Sequence, residues 1–116
     1  MSYIVVVEDD DDIQASLRTM LEDEGHKVDT ASNGELALEL LEERERPCLM
    51  LVDLFMPVMD GFELIRRLRT DPRYAELPVV VLTASSATGL WPGTPVIKKP
   101  ARYATLIGEV QKFCDC

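Results

Sequence analysis

No apolar run in the 116 residues approaches the roughly 18–20 that a membrane-spanning helix needs. That absence excludes a helical membrane protein. The start, Met1-Ser2-Tyr3-Ile4, has no basic leader and no signal-type cleavage site, so a cytoplasmic location is the expectation. Positive charge is in deficit: 12 Lys and Arg face 21 Asp and Glu, for a net charge of −9. Such a balance argues against direct nucleic-acid contact and against an anionic membrane surface, because both need basic patches. Histidine occurs once, at His26, in a segment read as a solvated loop. Cysteine occurs three times, so Cys48, Cys114 and Cys116 cannot all pair within one chain. The Cys114-x-Cys116 tail has no His or further Cys near it in sequence to complete a metal site. It reads as a frayed, reduced end, and Cys48 as a small core residue. Repeats, linkers and low-complexity stretches are also missing. The expectation is one domain over residues 1–116, large enough to bury a core without staples.

What is present is an alternation of short β-branched runs with amphipathic stretches. Ile4 to Val7 reads as a strand buried on both faces. Five acids follow, Glu8 to Asp12, and then Ile13, Leu17, Met20 and Leu21 recur at helical spacing until Gly25. Lys27 to Ala31 reads as a strand and Asn33-Gly34 as a turn. The next helix has Leu36, Ala37, Leu40 and Leu41 inward. Cys48 to Val52 is a second buried strand. Gly61 to Thr70 is a helix with Phe62, Leu64, Ile65 and Leu68 as its apolar set, ended by Asp71-Pro72. Val79 to Leu82 and the shorter Thr94 to Ile97 are the last strands. Pro100 opens a final helix with Leu106, Ile107, Val110 and Phe113 inward. Strands alternating with helices call for a parallel sheet covered on both faces. Five strands in this length fit a flavodoxin-like doubly wound α/β fold with order 2-1-3-4-5.

In such sheets ligands bind beyond the carboxyl ends of the strands. The residues that follow the strands are therefore the candidates: Glu8 and Asp9, Asp53, Thr83, and Lys98, Lys99 and Pro100. Carboxylates gathered at one edge repel each other unless a cation intervenes. Hard oxygen donors on loops suit Mg²⁺, which can share its coordination with a phosphate. Asp53 could accept a phosphoryl group covalently, Lys99 could pair with its oxygens, and Thr83 could donate to them only when they are present. Asp10, Asp11 and Asp12 read instead as helix-capping carboxylates, and Asp60 as a turn or cap residue. Lys98 reads as a solvated neighbour of Lys99, and Met56, Pro57 and Met59 as residues that shape a loop.

Glu8-Asp9, the run Asp53-Leu54-Phe55-Met56-Pro57-Val58-Met59-Asp60-Gly61, Thr83-Ala84 and Lys99-Pro100 together resemble the receiver domain of two-component response regulators. The likeness spans nearly the whole chain. It implies Asp53 as phosphoacceptor, Asp9 as a direct Mg²⁺ ligand with Glu8 assisting, and the Phe55 backbone carbonyl as a further ligand. It implies Thr83 and Lys99 as contacts of the phosphoryl group, and a cis Lys99-Pro100 bond. The phosphoryl donor would be a phosphohistidine on a sensor histidine kinase or phosphotransfer protein, and the output a downstream protein target. His26 is poorly placed to be an internal donor.

Two departures from the family pattern stand out. Only Ala84 to Gly93 separate Thr83 from the last strand, with Gly89, Pro92 and Gly93 among them, so the fourth helix of the family is expected to be missing or reduced to about one turn. Val96 stands where receivers commonly carry an aromatic residue that moves with the threonine. Trp91 is expected to fold over the otherwise open edge; a role as substitute reporter or as a partner contact is the alternative. A pseudo-receiver, a protein-interaction module without phosphorylation switching, is the rival function. A phosphatase is disfavoured, because position 55 is Phe where that chemistry wants a second acid. No enzyme activity is expected beyond self-phosphorylation from a phosphodonor and autodephosphorylation.

Overall fold

The computed structural model describes residues 2–84, 91 and 93–114. Five strands, β1 (Ile4–Val7), β2 (Val28–Ala31), β3 (Leu49–Asp53), β4 (Val79–Thr83) and β5 (Val96–Lys98), form one sheet in the order β2-β1-β3-β4-β5. Every pairing is parallel, as the alternation with helices requires. Among the described residues there are four helices: α1 (Asp11–Asp23), α2 (Gly34–Glu43), α3 (Gly61–Thr70) and α4 (Tyr103–Gln111). The expected loss of a helix between β4 and β5 falls largely on residues 85–90 and 92, which lie outside the described residues.

Strand side chains alternate between the two faces, and each face has its own core. Val5, Val7, Met50, Val52, Val79 and Val81 meet Ala37 and Leu41 of α2 and Leu64, Ile65 and Leu68 of α3. Ile4, Val6, Leu49, Leu51, Val80 and Leu82 meet Leu17 and Leu21 of α1 and Leu106, Ile107 and Val110 of α4. This two-sided burial explains why the strands are continuous apolar runs.

Helix ends follow their local chemistry. Asp10 caps α1, accepting from the N–H groups of Asp12 and Ile13. Asp60 caps α3 through Glu63 N–H at 2.9 Å. Asn33 caps α2 through Leu36 N–H, so Asn33-Gly34 begins that helix and forms no separate turn. Gly25, at φ +90°, ends α1. Its N–H reaches Glu22 carbonyl and the His26 N–H reaches Leu21 carbonyl, the paired bonds of a Schellman end.

Several expectations are corrected. His26 is buried, because the Schellman end folds it back toward α1. Leu36 is 46% exposed, since α2 turns Gly34, Ala37 and Leu41 inward. Phe113 is 40% exposed, because it lies beyond the last residue of α4, and Cys114, one turn after Val110, takes the buried place. Cys114 is not a frayed end: it is joined to Cys48 by a disulfide. Cys48 is accordingly a bridge residue, half-buried at the start of β3. The final helix begins at Tyr103 and not at Pro100.

Candidate functional site

The carboxyl edge of the sheet collects the chemistry. Glu8 follows β1 directly, held by its N–H to Ala31 carbonyl at 3.0 Å. Asp53 is the last residue of β3 and Thr83 the last of β4, opposite Lys98 of β5. Lys99 follows β5, and its N–H donates to Thr83 carbonyl at 2.8 Å. Backbone pairing thus fixes four side chains at one edge before any side-chain contact is made. Glu8 and Thr83 are fully buried and Asp53 nearly so.

Lys99 lies between two of these carboxylates. Its Nζ donates to Glu8 Oε1 at 2.5 Å and lies 3.3 Å from Asp53 Oδ2. One carboxylate oxygen each of Glu8, Asp9 and Asp53 lies within 4.8 Å of the others. Asp9 is exposed, so the cluster opens to solvent on its side. Three carboxylates against one ammonium leave the edge short of positive charge. Burial pushes Glu8 above the usual carboxylate range; the Lys99 hydrogen bond opposes that shift and the nearby Asp53 charge adds to it. Burial alone would lower Lys99, but the Glu8 hydrogen bond and the Asp53 charge outweigh it and hold the ammonium more firmly protonated than usual. All-oxygen donors at this spacing with a deficit of positive charge fit a hard divalent cation.

The loop after Asp53 is closed by Gly61, whose N–H donates to Leu54 carbonyl at 2.9 Å. A Cβ on Gly61 would stand 2.4 Å from the Asp53 carbonyl oxygen and 2.8 Å from Leu54 Cα, so no other residue fits there without moving the backbone beside Asp53. Phe55 is 59% exposed. Its ring meets Phe62 edge-on at 5.8 Å, and Phe62 meets Trp91 at 5.7 Å. Trp91 also packs on the α2–α3 core. Sequence reasoning missed this chain of rings, having placed Phe62 in the helix core. It also missed Gln14, whose Nε2 donates to the Glu8 carbonyl at 2.9 Å. Lys98 is exposed, and the Lys99-Pro100 bond is cis, both as expected.

Comparison with known proteins agrees with this geometry. The family described as response regulator receiver domain matches residues 4–90. The chain belongs to that family. This receiver is 36% identical over 120 residues to the response regulator receiver protein CpdR of Brucella abortus, covering 97% of each. It is 44% identical over 84 residues to the transcriptional regulatory protein AfsQ1 of Streptomyces coelicolor, covering 72% of this chain. The receiver spans only 36% of AfsQ1, about a third of that protein. Among solved structures, the receiver domain of sensor histidine kinase PA1611 from Pseudomonas aeruginosa superposes with a TM-score of 0.86, at 29% identity over 97% of this chain and 96% of that one. That structure carries a magnesium ion coordinated in its active-site cleft. The receiver described here is therefore a module of phosphorylation-based two-component signalling, with five parallel strands in the family order. Among the described residues, no helix is long and apolar enough to cross a membrane.

Proposed function

We propose that Asp53 accepts a phosphoryl group from a phosphohistidine on a partner histidine kinase or phosphotransfer protein. The observation that carries this reading is Lys99 Nζ between Glu8 and Asp53, with Asp9 beside them. An Asp53 oxygen forms the new bond to phosphorus while the bond from phosphorus to the imidazole nitrogen breaks. Lys99 stays protonated and moves from carboxylate to phosphoryl oxygens as charge arrives there. Thr83, at the end of the neighbouring strand, contacts the phosphoryl group once it is present, and this differential contact makes a switch. Asp9 and Asp53, with Glu8 assisting and the Phe55 backbone carbonyl as a further ligand, would hold Mg²⁺. When bound, the ion neutralises charge on the transferring group.

We further infer that residues 1–116 act as one receiver unit, because β5 and α4 complete the same sheet and core. The unit signals through a downstream protein target and turns over no outside substrate. The net charge of −9 supports a protein that touches neither nucleic acid nor an anionic membrane surface directly. The test is incubation with acetyl phosphate, with and without Mg²⁺, followed by intact-mass measurement. One phosphoryl group should be gained only with Mg²⁺, and Asp53→Asn should abolish the gain. An unchanged mass, or a gain that survives Asp53→Asn, would overturn the assignment in favour of a non-switching interaction module.

A further inference from the structure

Cys48 and Cys114, 66 residues apart in sequence, meet at the end of the sheet away from Asp53. Their Cα atoms are 5.6 Å apart and a disulfide joins them. Cys48 precedes β3, with its N–H on the Tyr3 carbonyl at 2.9 Å. Cys114 ends the turn after α4, with its N–H on the Val110 carbonyl at 3.0 Å. Backbone hydrogen bonds therefore hold both positions, whatever the state of the sulfurs.

Each sulfur also has a place without the other. Cys48 Sγ lies 3.4 Å from the Tyr3 carbonyl oxygen, so a thiol there has an acceptor for its S–H. Cys114 is 4% exposed in the cluster of Ile4, Leu106, Ile107 and Val110, where a thiol packs as a small apolar group. On reduction the two sulfurs must part from bonding distance to van der Waals contact, and each has a local partner to turn toward. A domain of this size does not as a rule need a staple to fold, and this one has an apolar core on each face of its sheet.

We propose that Cys48 and Cys114 are a reversible oxidation site, addressed by an oxidant of the hydroperoxide class, which fastens the C-terminal end of α4 to the start of β3. Cys48 is the more exposed residue of the pair, so in this proposal it meets the oxidant first. With hydrogen peroxide, its thiolate takes one oxygen, the O–O bond breaks, and the other oxygen leaves as water after taking up a proton. The Cys114 thiol then attacks this sulfenic sulfur; an S–S bond forms, the S–O bond breaks and a second water leaves. Both sulfurs are oxidised and the peroxide is reduced. Since α4 begins at Tyr103, shortly after Lys99, the bridge restrains the far end of the helix that leads away from the active edge. The site is independent of the chemistry at Asp53.

The test uses the full chain carrying Cys116→Ser, so that only this pair can react. Reduced protein treated with hydrogen peroxide should lose about 2 Da, regain it in dithiothreitol, and yield a linked peptide of Cys48 and Cys114. The oxidised form should unfold at a Tm about 5 °C or more above the reduced form. Adding Cys48→Ser should abolish both effects, and adding Cys114→Ser should leave a sulfenic acid trapped on Cys48 by dimedone. A bridge that resists dithiothreitol in the folded protein would make it a permanent staple and overturn the proposal. So would two free thiols after peroxide in a chain that circular dichroism shows to be folded.

Discussion

Lys99 is the residue on which the active edge turns. It is 16% exposed and ties a Glu8 carboxylate that is almost completely sheltered from water. Removing one partner of such a pair leaves the other charge buried and uncompensated, which costs more than the pair is worth. Lys99→Met in metal-free buffer should therefore lower the unfolding free energy at neutral pH by about 3 kcal/mol. Adding Glu8→Gln should recover part of that loss, because the orphaned charge is then gone. Urea titration of the wild type, both single variants and the double variant gives the coupling directly. Both residues were legible as site candidates, since each follows an apolar strand in a fold that gathers strand ends. Their direct pairing was not legible, because Glu8 and Lys99 are 91 positions apart and only the sheet order brings them together.

Helix α3 shows how an element can be readable in its bounds and less so in its faces. Its limits, Gly61 to Thr70, follow from Asp60 as cap and Asp71-Pro72 as stop. Leu64, Ile65 and Leu68 are buried as their spacing demands, whereas Phe62 leaves the core to bridge Phe55 and Trp91. Helical periodicity identifies an apolar stripe, but the width of that stripe depends on what packs beside it. The same helix carries a surface charge cluster. Hydrogen bonds from Arg66 and then Arg67 hold the Glu63 carboxyl down at about 2. A carboxylate with a depressed folded pKa contributes stability above its ordinary value of 4.5 and loses it as pH falls toward about 2. The stability gap between wild type and Glu63→Gln should then be full at neutral pH and shrink through that acid window. Because the cluster is exposed, the gap should also shrink in high salt, which urea unfolding across pH and ionic strength would reveal.

Across the whole molecule, two apolar cores hold together a surface with a large excess of negative charge. Part of that excess is concentrated at the edge formed by Glu8, Asp9 and Asp53. A cation bound to the folded state and absent from the unfolded chain raises stability by mass action. Mg²⁺ should raise Tm beyond what Na⁺ achieves at equal ionic strength, approaching about 2.7 kcal/mol of linkage at a hundredfold excess over its Kd. Asp9→Asn should remove most of that rise, because Asp9 is the exposed member of the cluster. Differential scanning calorimetry of both proteins, with and without Mg²⁺, checks this.

The succession of strands and helices along the chain, the acidic caps of α1 and α3, and the candidate acids, threonine and lysine were determined by the sequence alone. Each is encoded by neighbours within a few residues: apolar runs of strand length, carboxylates at helix starts, glycine and proline at the ends. Tertiary structure decided the rest. Burial of His26, exposure of Leu36 and Phe113, the ring contacts of Phe62, and the pairings of Lys99 with Glu8 and of Cys48 with Cys114 all depend on which distant segments meet. Local patterns specify which way a backbone runs. The environment of a side chain depends on the elements that close over it, and these are separated from it in sequence by the chain that forms the sheet.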